Sequence, residues 1–100
     1  MSKLLALASE ALARIWFSLR YKNVFKQLGR GAFFVSHFRI DGAEWIEVGE
    51  KTFLQRGGWL YCGGGDGVEP SLTLGRGCVF GYNNHITSVR DVVVGDFVLT

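Results

Sequence analysis

His85 and His37 are the only histidines in the chain. An imidazole is the side chain best suited to move protons near neutral pH. His85 lies in Gly81-Tyr82-Asn83-Asn84-His85-Ile86, where a phenol and two amides could hold a hydroxyl-rich ligand beside it. The bland reading of the same run is a surface corner, because Asn tolerates left-handed backbone angles. His37, in Val35-Ser36-His37-Phe38, has Arg39 as its one charged neighbour within three positions and reads as structural or superficial. Cys62 and Cys78 have no CxxC spacing, and with the histidines scattered they suggest two free thiols and no metal site. Gly63-Gly64-Gly65-Asp66-Gly67 invites a phosphate-loop reading, yet no Gly-Lys-Ser/Thr follows. It also fails the calcium-binding GGxGxD repeat, with Asp66 where the third glycine belongs. An insertion loop is the simpler account.

The elements that must position these residues announce themselves through a repeat. An aliphatic-glycine pair recurs as Val48-Gly49-Glu50, Leu74-Gly75-Arg76 and Val94-Gly95-Asp96. Large apolar residues recur every six positions, as Val48, Leu54, Leu60 and again as Leu74, Phe80, Ile86, Val92. Short β-favouring runs, Phe33 to Val35, Phe38 to Ile40, Trp45 to Val48 and Thr52 to Leu54, are bounded by Gly, Asp or Asn. A six-residue period is neither helical nor simple alternation. It predicts a three-sided prism with one aliphatic residue inward at the middle of each face and a glycine for unusual backbone angles after it. The pairs are 26 and then 20 residues apart, so coils of 18 would carry insertions of eight and two. The larger falls in the glycine run 62–70 and the smaller within 86–91. His85, one residue before an inward aliphatic, is then expected at a corner and pointing outward.

Residues 1–30 have a different texture. Lys3, Arg14, Arg20, Lys22, Lys26 and Arg30 stand against Glu10 alone, although the net charge of the whole is +2. Residues 3–28 contain no Gly or Pro and favour helix. Leu4, Leu5, Ala8, Leu12, Ile15, Trp16 and Leu19 share one face, and Phe17, Tyr21, Val24, Phe25 and Leu28 form a second stripe, which predicts a break near 20–23 before Gly29-Arg30-Gly31 ends the helix. The apolar start is too short to span a bilayer and has no cleavage pattern of a leader. A basic amphipathic segment suits peripheral contact with a membrane surface or an acidic partner, and the simpler account is a solvated helix face. The remainder has no basic stripe, which disfavours nucleic acid. With 48% hydrophobic residues, one proline and 100 residues, the chain holds one domain's worth of packing and is not disordered.

The repeats, with Ile40-Asp41-Gly42 and Ile46-Glu47-Val48-Gly49 as an opening coil, resemble the hexapeptide-repeat acyltransferase family over about residues 38–100. The resemblance implies an all-β fold, a left-handed parallel β-helix over 32–100 preceded by an α-helical segment over 1–30. The branch it is most similar to contains maltose, galactoside and polysaccharide O-acetyltransferases. That branch implies a homotrimer, with active sites between neighbouring prisms, and acetyl transfer from acetyl-CoA, as co-substrate and not a resident cofactor, to a saccharide hydroxyl. It implies a cytoplasmic location, with the inner membrane face in reach of the basic helix, and a role in polysaccharide biosynthesis. On this reading His85 is the candidate base, and Asn83, Asn84, Asp66, Trp59 and Tyr82 are candidate contacts of the acceptor. The family's own catalytic histidine follows a segment like Val94 to Thr100, so the resemblance also implies a base beyond residue 100 and a chain that is the N-terminal part of the enzyme. A non-catalytic trimerisation or scaffold module is the competing class.

Overall fold

A computed structural model describes residues 12, 13, 15–35, 37–65 and 67–100. These residues are largely β, in three parallel sheets, with one helix, α1, ending at Tyr21. The strands are β1 (Gln27–Leu28), β2 (Phe33–Phe34), β3 (Arg39–Asp41), β4 (Ile46–Val48), β5 (Phe53–Leu54), β6 (Trp59–Cys62), β7 (Ser71–Leu74), β8 (Val79–Phe80), β9 (His85–Ser88) and β10 (Asp91–Val94). A single 3-10 turn, Ala43–Trp45, separates β3 from β4.

Each strand pairs with the one three places further along, giving faces β1-β4-β7-β10, β2-β5-β8 and β3-β6-β9. The chain therefore visits three faces in turn and stacks each circuit on the last, so the backbone donors and acceptors of one coil meet those of the next. Paired residues lie 20 positions apart between the first and second coils (Gln27 with Glu47). They lie 26 apart between the second and third (Ile46 with Leu72) and 20 between the third and fourth (Ser71 with Asp91).

The six-residue step holds on two sides of every coil and fails on the third. Val48, Leu54 and Leu60 are buried at intervals of six, as are Leu74 and Phe80. From the third face to the first, however, the step from Ile40 to Val48 is eight residues, from Leu60 to Leu74 fourteen, and from Ile86 to Val94 eight. Both expected insertions thus lie at one corner, the larger at 63–70 and the smaller at the turn Val89-Arg90. The first coil carries a similar excess at its 3-10 turn.

The longer corner widens the core. On the first face Leu72 and Leu74 are both buried, as are Ile46 and Val48. Residues two apart on a strand share a face, so this side carries two inward columns where one had been expected. Val92 belongs to the column of Ile46 and Leu72, and Val94 to that of Val48 and Leu74. Each fully buried aliphatic contributes about 1.5–3 kcal/mol. Among the described residues, no buried side-chain nitrogen or oxygen lacks a partner. Thr52 donates to the Gly75 carbonyl, and Ser88 donates to the Ser71 carbonyl at 2.6 Å. Burial pushes the Cys62 thiol above its ordinary range, opposed by its hydrogen bond with Ser88 and reinforced by the Glu44 carboxylate. Both cysteines are free and buried.

The glycines after the aliphatics of the first three coils, Gly29, Gly49 and Gly75, are needed for a reason other than backbone angle. A Cβ at Gly75 would lie 2.5 Å from the Gly95 carbonyl carbon, and Cβ atoms at Gly29 and Gly49 would meet the next coil's backbone in the same way. Close stacking excludes a side chain there. Left-handed angles occur two residues later, at Gly31, Lys51, Gly77 and Phe97 (φ 77°, 57°, 64° and 58°). Leu28-Gly29 is in register with Val48-Gly49, so it is a fourth copy of the pair.

The N-terminal segment departs from expectation in its second half. The break falls at the end of α1, but Gln27 and Leu28, expected to be helical, are already strand. Pairing with the exposed edge of β4 outweighs their helical propensity. The second stripe is the one that packs inward, with Tyr21 and Leu28 half-buried, although its Val24 is 47% exposed. Phe17 and Phe25 are buried, and Phe17 packs on Phe34 at 5.2 Å, on Phe33 at 5.6 Å and on Phe38 at 6.0 Å between ring centroids. These rings close the end of the core that β1, β2 and β3 leave open. From the first stripe Leu12, Ile15, Trp16 and Leu19 are exposed. Leu4, Leu5 and Ala8 lie outside the described residues.

Candidate functional site

The third face places Arg39, Trp59 and His85 in one column, because β3, β6 and β9 pair in register there. They point outward, since Ile40, Leu60 and Ile86 between them turn toward the core. The imidazole of His85 lies flat on the Trp59 indole, with ring centroids 4.3 Å apart and 2° between planes. The Arg39 guanidinium covers the ring from the β3 side, 4.7 Å from the centroid. Asp41 holds this stack from one side. Its Oδ2 accepts from Trp59 Nε1 at 2.8 Å and from Arg39 Nε at 3.0 Å. His85 Nε2 lies 3.0 Å from the Thr87 hydroxyl.

Of the residues singled out by sequence, His85 and Trp59 are brought together. Both faces of the Trp59 ring are covered, so its edge is what a ligand would meet. Tyr82 is exposed at the tip of the corner leading into β9. Asn83 adopts the left-handed conformation (φ 57°). A Cβ at Gly57 would run into its Oδ1, so the Asn83 side chain lies against the neighbouring coil. His37 and Gly57 occupy the equivalent corner positions with φ of 65° and 83°. Asn84 is drawn into the corner, donating from Nδ2 to the Gly81 carbonyl at 3.0 Å and to Thr100 Oγ1 at 2.8 Å. Asp66 lies outside the described residues. The loop that contains it leaves the end of β6 opposite Trp59, about 10 Å along the strand from it.

Arg39, Asp41 and Thr87 were missed by sequence reading. The signal that finds them is coil length: a step of 20 from Arg39 reaches Trp59, and a further step of 26 reaches His85. Those lengths are not known until the corner excess has been placed.

Chemically the column offers one exposed imidazole on an aromatic platform, a hydroxyl beside one ring nitrogen, and a cation beyond the platform. An imidazole so placed can accept a proton from an alcohol. Its orientation comes from stacking and from Thr87 instead of from a carboxylate, since Asp41 is committed to Trp59 and Arg39. Cavities also occur among the described residues. One of about 180 Å³ is lined by Glu50, Lys51, Arg76, Gly77 and Phe97. Another, of about 300 Å³, lies where Tyr21, Val24 and Phe25 meet Phe38, Ile40, Ala43 and Arg39, so it adjoins the column at its β3 end. No group of three or more His, Cys, Asp or Glu able to hold a metal occurs among the described residues. Comparison of the chain with protein-family models, with curated proteins and with solved structures gives no match.

Proposed function

We propose that the coils form a left-handed parallel β-helix of the acyltransferase kind, which carries acetyl from acetyl-CoA to a saccharide hydroxyl. The observation that supports this reading is the outward column on the third face. It sets an exposed histidine on a rigid strand beside a corner with the Tyr82 phenol. In a homotrimer that face would border a neighbouring prism, leaving a cleft in which acetyl-CoA and the acceptor meet. His85 would take the proton of the acceptor hydroxyl as its oxygen bonds to the acetyl carbon and give it to the CoA thiolate as the thioester C–S bond breaks, with backbone amides holding the transient oxyanion.

Release of free CoA from acetyl-CoA in the presence of a panel of saccharides tests the reaction. His85→Ala is expected to slow it by about 100-fold or more while leaving the thermal midpoint nearly unchanged. Unchanged kinetics would remove His85 from the chemistry, and the absence of any stabilisation by acetyl-CoA would remove the acyltransferase itself.

One observation favours a non-catalytic trimerisation or scaffold module instead. The polar groups nearest His85 are spent on the protein: Asn84 on Gly81 and Thr100, Asn83 against Gly57, and Asp41 on Trp59 and Arg39. A stable trimer in sedimentation that does not bind CoA would establish that role.

A further inference from the structure

We infer that the outer face of α1 docks the protein on an anionic lipid surface, lying in the plane of the interface. Leu12, Ile15, Trp16 and Leu19 are 56%, 55%, 69% and 68% exposed. At about 100° per residue they fall within one narrow arc of the helix. Phe17 and Tyr21 project from the opposite side, and it is they that close the end of the coil stack. The helix is thus anchored by one stripe and presents a second, larger one to the outside.

The charges beside that stripe select the occupant. Arg20 borders it on one side, its guanidinium 5.6 Å from the Tyr21 ring centroid, and Lys22, in the turn after α1, on the other, and both are exposed. No acidic residue occurs between positions 12 and 30. A second copy of the helix laid against this face would bring cations against cations. A surface of anionic headgroups over acyl chains matches both parts, accepting the apolar stripe and pairing with its basic margins. Trp16 has the amphipathic ring suited to the headgroup boundary. No helix among the described residues is long and apolar enough to cross a membrane. This docking stands independently of the reaction proposed above.

The test is sedimentation of the whole chain with vesicles of phosphatidylcholine, with and without one-third phosphatidylglycerol. Binding is expected to the anionic vesicles only and to weaken with salt. Trp16→Glu with Leu19→Glu should lower it about tenfold or more, and Arg20→Ala and Lys22→Ala about fivefold each. Because the double glutamate variant could disturb folding, lipids brominated in the acyl chain supply a second readout. They should quench the fluorescence of the protein, and Trp16→Phe, which keeps the apolar contact, should abolish most of that quenching. Equal affinity for neutral and anionic vesicles would overturn the inference, as would quenching unaffected by Trp16→Phe. Dissociation of an oligomer by Trp16→Glu with Leu19→Glu, with no vesicle binding by the parent chain, would assign the face to another protein surface instead.

Discussion

Single residues in this chain are constrained chiefly by the coil stacked above them. Gly75 and Gly95 occupy the same position in successive coils and follow the same kind of aliphatic residue, yet their surroundings differ. A Cβ at Gly75 would sit 2.5 Å from the backbone of Gly95, whereas nothing lies within 4 Å of the corresponding point at Gly95. Gly75→Ala is therefore expected to cost about 2–3 kcal/mol, because two coils would have to separate. Gly95→Ala should stay within about 0.5 kcal/mol. Urea denaturation of the two variants checks the contrast, and equal losses would show that backbone angle and not stacking is what the glycine serves. His85 shows the same dependence, since its ring orientation is set by Trp59 on the neighbouring coil.

Among the elements, α1 has the most consequential packing. The first coil would otherwise leave Phe34 and Phe38 open at the end of the core, and a solenoid with a bare apolar end is prone to association. Phe17 is the ring that covers it, 6% exposed and in contact with four other aromatic rings. Phe17→Ala should destabilise the fold by about 3 kcal/mol and expose apolar surface to a hydrophobic dye. Trp16→Ala, one position away on the open face, should leave stability almost unaltered. Comparable losses in the two variants would mean that the helix rests on the coils by a different side.

For the molecule as a whole, each coil meets only its neighbours, so protection should be graded along the stack. Strands β4, β5, β6 and β7 are paired on both sides. Among the described residues, strand β10 has a partner on one side, and β9 pairs with β6 alone. Amide hydrogen exchange is expected to be slowest from β4 through β7 and fastest in β9 and β10. Uniform protection would indicate a single all-or-none unit. Strand β10 also presents Val93, 74% exposed, and Leu99, bridged to Val79, is 75% exposed.

Much of this architecture was legible in the amino-acid order because a repeated environment demands repeated side chains. The six-residue spacing of Val48, Leu54 and Leu60 marked the buried columns, and the aliphatic-glycine pairs marked one corner of successive coils. Leu28-Gly29 escaped notice as a fourth copy because it lies in a stretch of helical composition, where pairing to β4 decides the conformation. The candidate histidine was visible as a residue type, but its neighbours were not. Arg39, Asp41 and Thr87 reach it only through interstrand register, which depends on how many residues each corner absorbs. Corner length is set by how the loops pack against the stacked coils, and that is a property of the tertiary structure. The same holds for the two stripes of α1: both are apolar in sequence, and only the position of the first coil determines which of them is covered.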